Sequence, residues 1–470
     1  MFQGNPQQYL PMIGQLFNTF ANCLKIPELR SRIIFTAVVL AVARVIALTP
    51  VPGLDGSKLA AYFAEAAKTS GGAGVFGLYS MFTGGALEQC AVGALGIMPY
   101  ISATIFIQLL TAVVAPLGKL AREEGGRAKL VAYGRYLTVL LCLGHGLIVA
   151  LGWENPEKAF QGFSGSLVTA EYIWLYRIQT VMILTSGTLF LMWLGEQITE
   201  RGIGNGVSLL ITVGILARLP NAGKSLVSMF QQENSKFLHL VLLVLVLAIV
   251  VAGVVLITQG QRKVPVQYAQ RAVGRKIMSG GTSFMPLRVN YAGVMPVIFA
   301  QAILMFPGMI FEKLAAILPA GFAKQVSIYI ASHLGRQGFT YLFLYGLMIL
   351  FFSYFWVATQ FNELQVADDL KKHGGYIPGV RPGTATSDFL HNTMSRITLA
   401  GAVFLVVIAI IPTVMSAYLK IDPLVAQFFG GTSLLITVGV LLDTMRQMES
   451  YLLMRHYDGF LKKGKVRGRA

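Results

Sequence analysis

Few residues in this 470-residue chain have the types and spacing that covalent chemistry needs. Gly72, Gly74 and Gly77 fit G-x-G-x-x-G, but a dinucleotide loop must follow a strand and open a βαβ unit, and neither is present in the sequence. Gly202, Gly204 and Gly206 in ERGIGNGVS have the wrong spacing for such a loop and read instead as a tight turn. No HExxH, GxSxG or P-loop string occurs, and the six histidines are scattered. His145 and His239 fall near the ends of apolar runs, where packing or an interfacial position suits them. Cys23, Cys90 and Cys142 lie far apart without CxxC spacing, which argues against a disulfide framework or a zinc site and for buried thiols acting as small hydrophobes. We expect no catalytic residue, no metal and no cofactor.

The composition dictates where such a chain can live. It is 55% hydrophobic and only 13% charged, with a mean hydropathy of +0.63. Its apolar runs repeatedly reach the roughly 20 residues that a helix needs to cross a bilayer. The fold class is therefore an all-α polytopic membrane protein. Ten spans are predicted, at about 31–49, 91–115, 129–152, 172–194, 206–219, 237–258, 290–311, 339–361, 396–418 and 429–448. The fifth is short, and the alternation of loop charge requires it. Lys and Arg on the N-terminal side, in the even-numbered loops and in the tail are more than twice as many as in the intervening loops. That excess marks the cytoplasmic side, so both termini are expected there. The opening residues MFQGNPQQYLPMIGQLFN lack a charged n-region before an apolar core, so the first span is expected to act as its own insertion signal.

Charge inside the spans is scarce. Arg44 is the clearest case: either a functional residue, as intramembrane charge often is, or a side chain that snorkels or pairs within the bundle. Glu88, Glu196, Glu200 and Glu363 sit at or beyond span ends. An ion-coupled transporter of small solutes would need several carboxylates at membrane depth, and a lipid- or polymer-modifying enzyme would need catalytic groups. Neither is seen.

The stretch Gly74–Val114 (GVFGLYSMFTGGALEQCAVGALGIMPYISATIFIQLLTAVV) breaks at Gly84-Gly85, passes Glu88 and Gln89, and resumes with Pro99 in its apolar run. A break at membrane depth is tolerated where the freed backbone faces protein or a water-filled cavity. The stretch reads either as a half-helix and a kinked span beside a cavity, or as a loop helix before an ordinary kinked span. Ile97 and Ile101 share one helix face, as do Val207 and Ile211, while Ile298 and Ile436 lie inside their own spans. Each alone reads as lipid-facing or core. Around a common axis they would form an apolar constriction that closes a passage to ions by dewetting.

Almost the whole chain resembles the SecY family, the bacterial pore subunits of the general protein-conducting channel. The resemblance is carried by ALGIMPYISATIFIQLL (94–110), MWLGEQITERGIGNGVSLLI (192–211), GQRKVPVQYAQR (260–271), LRVNYAGVMPVIFA ending at Ala300, GYIPGVRPG (375–383) and GGTSLLI (430–436). It implies ten transmembrane helices in two inverted five-helix halves around a central pore with a plug half-helix. In that scheme 1–30 is a cytoplasmic N-terminal segment, 31–219 the first half, 220–236 an external loop and 237–448 the second half. Cytoplasmic loops occupy 259–289 and 362–395, and 449–470 is a basic cytoplasmic tail, expected to fray. The plug (about 74–85) includes Phe76, Tyr79, Met81, Phe82, Gly84 and Gly85, and the pore ring is Ile97, Ile101, Val207, Ile211, Ile298 and Ile436. A lateral gate would lie between spans 91–115 and 129–152 on one side and 290–311 and 339–361 on the other. Arg262, Lys263 and Arg381 would dock the ribosome or the motor ATPase SecA. The implied partners are SecE, SecG, SecA, the ribosome, signal sequences, translocating polypeptides and membrane lipids. The implied location is the bacterial inner membrane; a plastid member of the family is the alternative, which no transit-like N-terminus favours.

Overall fold

A computed structural model describes residues 26–66, 80, 82–123, 125–160, 163, 165–169, 172–231, 237–268, 271–273, 276–278, 281–319, 321–333, 339–419, 425–426, 428 and 431–463. Helices occupy all ten expected positions. They are α1 (Pro27–Leu48), α3 (Met98–Val113), α5 (Gly126–Glu154), α7 (Ile173–Arg201), α8 (Gly206–Leu216), α10 (Phe237–Gln259), α11 (Met295–Ile317), α13 (Phe339–Gln360), α15 (Thr384–Leu419) and α16 (Thr432–Lys463). Shorter helices connect them: α2 (Gly56–Ala66), α4 (Ala115–Arg122), α6 (Pro156–Ala159), α9 (Leu219–Gln231), α12 (Phe322–His333) and α14 (Glu363–Lys372). Among the described residues, six helices are long and apolar enough to cross a bilayer on their own, and a seventh if the bent pair α3–α4 counts as one broken span. Val38, Val45, Leu140, Ile178, Ile249 and Phe343 stand exposed along them. Apolar side chains on the outside are what lipid, unlike water, stabilises. Buried hydroxyls fold back on their own helix: Ser102 donates to the Met98 carbonyl, Thr212 to Ser208 and Ser353 to Ile349, at 2.7–3.0 Å. These three hydroxyls are thereby satisfied without water.

Several boundaries differ from the sequence reading. The second span begins at Met98 rather than 91, so Pro99 lies in the first helical turn, where its missing N–H costs nothing. Residues 83–97 are a chain of turns instead. The fifth span does not end at 219: after a turn at 217–218, α9 continues to Gln231 and fills most of the segment expected as an external loop. The final helix runs on to Lys463, through most of the tail expected to fray from 449. The segment expected as a cytoplasmic loop at 259–289 is folded. Strands β1 (Gln261–Tyr268) and β4 (Thr282–Arg288) pair antiparallel, and β2 (Arg271–Val273) pairs with β3 (Lys276–Met278). A further strand, β5 (Gly375–Tyr376), adds to β1 and gives the order β4-β1-β5. The chain is thus helical throughout its apolar spans and carries two small sheets in the segments between them.

Helix contacts close a circuit. α3 packs on α5, α5 on α7, α7 on α8, α8 on α16, α16 on α10, α10 on α15, α15 on α13, α13 on α11, and α11 returns to α3. α1 lies against α7 and α8. The α5–α7 pair is pinned at both ends by bidentate ion pairs, Arg135 to Glu196 (3.1 and 2.8 Å) and Arg177 to Glu154 (both 2.8 Å). Glu196 is thereby committed to a helix–helix contact.

Candidate functional site

The six positions expected to form a ring lie on four helices of this circuit: Ile97 caps α3 and Ile101 is within it, Val207 and Ile211 are on α8, Ile298 on α11 and Ile436 on α16. All six belong to the large apolar core of the bundle. Ile97, Ile101, Ile211, Ile298 and Ile436 are buried, none more than 6% exposed, and half-buried Val207 packs against the same cluster. Ile97 and Val207 meet beside Gly195 of α7, where a Cβ would stand 3.6 Å from the end of each side chain.

Against it lies the segment leading into α3. Phe76, Tyr79 and Met81, with the G-x-G-x-x-G glycines, fall outside the described residues. Phe82, Gly84 and Gly85 are described. Phe82 is buried in the same cluster, and Gly84 and Gly85 both take positive φ, +66° and +89°, the left-handed region where a side chain would clash. The half-helix expected here is described only at Ser80 and Phe82; from Thr83 the chain turns. Its backbone approaches α8 closely: a Cβ on Gly214 would stand 2.9 Å from the Phe82 carbonyl oxygen. Arg44 of α1 bonds within the bundle, to this same segment. Both terminal nitrogens of its guanidinium donate to the Gly84 carbonyl at 3.4 Å.

A polar group missed in the sequence holds the same segment. Arg218, in the turn after α8, makes an ion pair with Glu88 and donates to Ser80 Oγ at 2.7 Å, while Ser80 Oγ donates to Glu88 Oε1 at 2.8 Å. A signal existed: each of two opposite charges ends an apolar run on the side expected to be external. Sequence alone did not say that the runs meet. The glycine turn is as expected: Asn205 caps α8 by accepting from the Ser208 amide at 3.1 Å, and the Gly204 amide donates to Gln447 Oε1 of α16.

The expected docking residues sit on the sheet and its neighbouring turn. Arg262 and Lys263 are exposed on β1, while Val264 and Val266 of the same strand are buried, Val264 with Leu287, Ile377, Leu390 and Met394. That alternation is the period of a strand with one covered face. Arg381 is exposed in the turn between β5 and α15, its carbonyl accepting from Thr386 Oγ1 at 2.9 Å. β5 joins β1 at Gln267 and Tyr268, and Tyr376 donates to Gln267 Oε1 at 2.9 Å. The fold therefore brings the two basic loops into one sheet. It leaves Lys263 four residues from that junction, about 13 Å along the strand.

The sequence profile of the SecY family matches residues 91–445. The chain belongs to the SecY family. The protein translocase subunit SecY of Chlamydia trachomatis is 42% identical over 96% of this chain and 99% of its own length. Two solved SecY-fold structures share the architecture at 18% identity. One describes how the plug domain of SecY stabilises the closed translocation channel and maintains a membrane seal, with TM-score 0.60 and coverage of 90% of this chain and 92% of that one. The other is Sec61 in the canine ribosome–channel complex, with TM-score 0.57 and the same coverage. At that identity the likeness is one of fold.

Proposed function

We propose that this chain is the pore subunit of a protein translocon, conducting unfolded polypeptides across a bacterial inner membrane and releasing apolar segments sideways into lipid. The observation that supports the reading is that six β-branched apolar side chains, from four helices of a closed circuit, belong to the bundle's large apolar core, with Phe82 packed into the same core. Such a constriction excludes water, and so ions, yet offers no polar group to trap a passing chain. Ten spans in two inverted halves would place it at mid-membrane. Deformable aliphatic walls suit a substrate that changes residue by residue.

Lateral release would open the α3–α11 contact. At the helix centre a Leu or Ile gains a few tenths of a kcal/mol on entering lipid, and an Asp, Lys or Arg loses about 2.5–3.5 kcal/mol. The bilayer then sorts segments and the protein need only grant access. This mechanism uses no covalent chemistry and no cofactor, so partners must supply the driving force. Family membership supports SecE and SecG as companion subunits and SecA as a motor, and the ribosome-bound relative supports docking of a ribosome. Arg262, Lys263 and Arg381 are assigned to that docking. A guanidinium there can grip phosphate or carboxylate with two bonds, and an ammonium acts as a point charge.

The test is planar-bilayer conductance of the chain purified with SecE, before and after deletion of 76–83. A tight wild type and a wide, weakly selective, flickering deletion variant are expected. A silent deletion variant, with solute-dependent uptake into vesicles, would return the chain to the transporter class.

A further inference from the structure

We propose that Ser80, Glu88 and Arg218 are positioning residues forming a polar latch, which holds the turn segment 82–90 against α8 and sets how rarely the resting passage opens. The inference rests on the channel reading. The three groups are mutually bonded: the Arg218 guanidinium reaches both Glu88 and Ser80 Oγ, and Ser80 Oγ bridges to Glu88. They are also largely shielded. Ser80 is fully buried, and the side chains of Arg218 and Glu88 are 11% and 19% exposed. Charge-assisted bonds out of water are stronger than neutral ones. Arg218 Nε has no partner among the described residues, so the guanidinium depends on Glu88 and Ser80 for compensation.

The placement gives the trio its leverage. Ser80 and Glu88 bracket Phe82 and Leu87, which are buried in the apolar cluster, and Gly84, which lies against Gly214 of α8. Gly214, one turn before Arg218, is where the segment's backbone seats on α8. On the other flank Arg44 holds only a carbonyl, a bond that water can replace when the segment leaves. The Glu88–Arg218 pair is different. Any displacement of the segment from α8 separates two charges whose compensation is mutual, so the pair weights the equilibrium toward the seated state. A static brace would affect the stability of the whole bundle. A latch affects the seated–unseated equilibrium.

The experiment records resting opening frequency in planar bilayers for the intact membrane complex, with thermal unfolding in detergent as the control for folding. Glu88→Gln and Arg218→Gln should each raise opening frequency about 10- to 100-fold, the range for losing one hydrogen bond to a charge. The double variant should open no more often than the worse single variant, because the second substitution removes a partner already lost. Ser80→Ala keeps the ion pair and should give a smaller rise, without the risk of stranding a charge. Single variants indistinguishable from wild type, beside a conducting 76–83 deletion, would overturn the latch and leave the channel reading standing. A double variant equal to the product of the singles would also overturn it. A silent deletion variant would overturn both readings.

Discussion

A charge within a membrane bundle is tolerated where a protein group replaces water, and Arg44 meets that condition by donating to the Gly84 carbonyl. The residue thus reports on the segment it holds as well as on its own helix. Close approach at Gly214 makes the same point sterically. Gly214→Val would force a branched side chain into a site where even a Cβ stands 2.9 Å from the Phe82 oxygen. Overpacking of this kind costs about 1–3 kcal/mol. The expected result is a raised resting conductance with little change in the amount of inserted protein. Polar substitution in the cluster should act more directly. Replacing Ile97, Ile101 and Ile211 with Ser should let water bridge the constriction and make resting channels leak ions in bilayer recordings. Unchanged conductance would argue that these side chains serve packing alone.

At the scale of elements, the sheet β4-β1-β5 explains how two loops remote in sequence act as one surface. Val264 anchors β1 to Leu390 and Met394 of α15, whose first three turns stand clear of the predicted span. Val264→Asp would bury a carboxylate among these apolar side chains. The sheet should loosen, and protease nicking between 268 and 281 should rise sharply in otherwise intact protein. Arg381→Glu should do the opposite: leave the protease pattern unchanged while lowering translocation and the binding of SecA or ribosomes. If both bind normally, Arg381 is a topology signal that favours the cytoplasmic side and no more.

The whole molecule is a circuit of helices whose continuity brings α11 back to α3. Its orientation is testable with single cysteines. Buried Cys90 and Cys142 should stay silent toward an impermeant maleimide, each being fully enclosed, and Cys23 can be replaced by Ser. In that background Ser57→Cys should label from outside the cell, whereas Arg381→Cys should label only in inverted vesicles. The reverse pattern would overturn the charge-derived topology.

Much of this was legible in order along the chain. Ten apolar runs and their alternating loop charges follow from composition and spacing, because lipid rewards an apolar helix whatever its neighbours are. Helix ends were less legible. α9, the last turns of α16 and the first turns of α15 lie where hydropathy falls but helical hydrogen bonding continues, and Pro99 marked a helix start where the apolar run suggested a middle. The sheet was missed because β1 and β4 are short, basic and only half-covered, and the face that stabilises them comes from α13, α15 and Ile377. Six isoleucines and valines could be named as candidates from sequence, yet each alone was indistinguishable from a lipid-facing residue. Only the tertiary structure decided that they share a cluster, and that Glu88 meets Arg218 across 130 residues. Partition into the bilayer is a property of each segment by itself; a constriction and an ion pair are properties of segments brought together, and only packing specifies which ones meet.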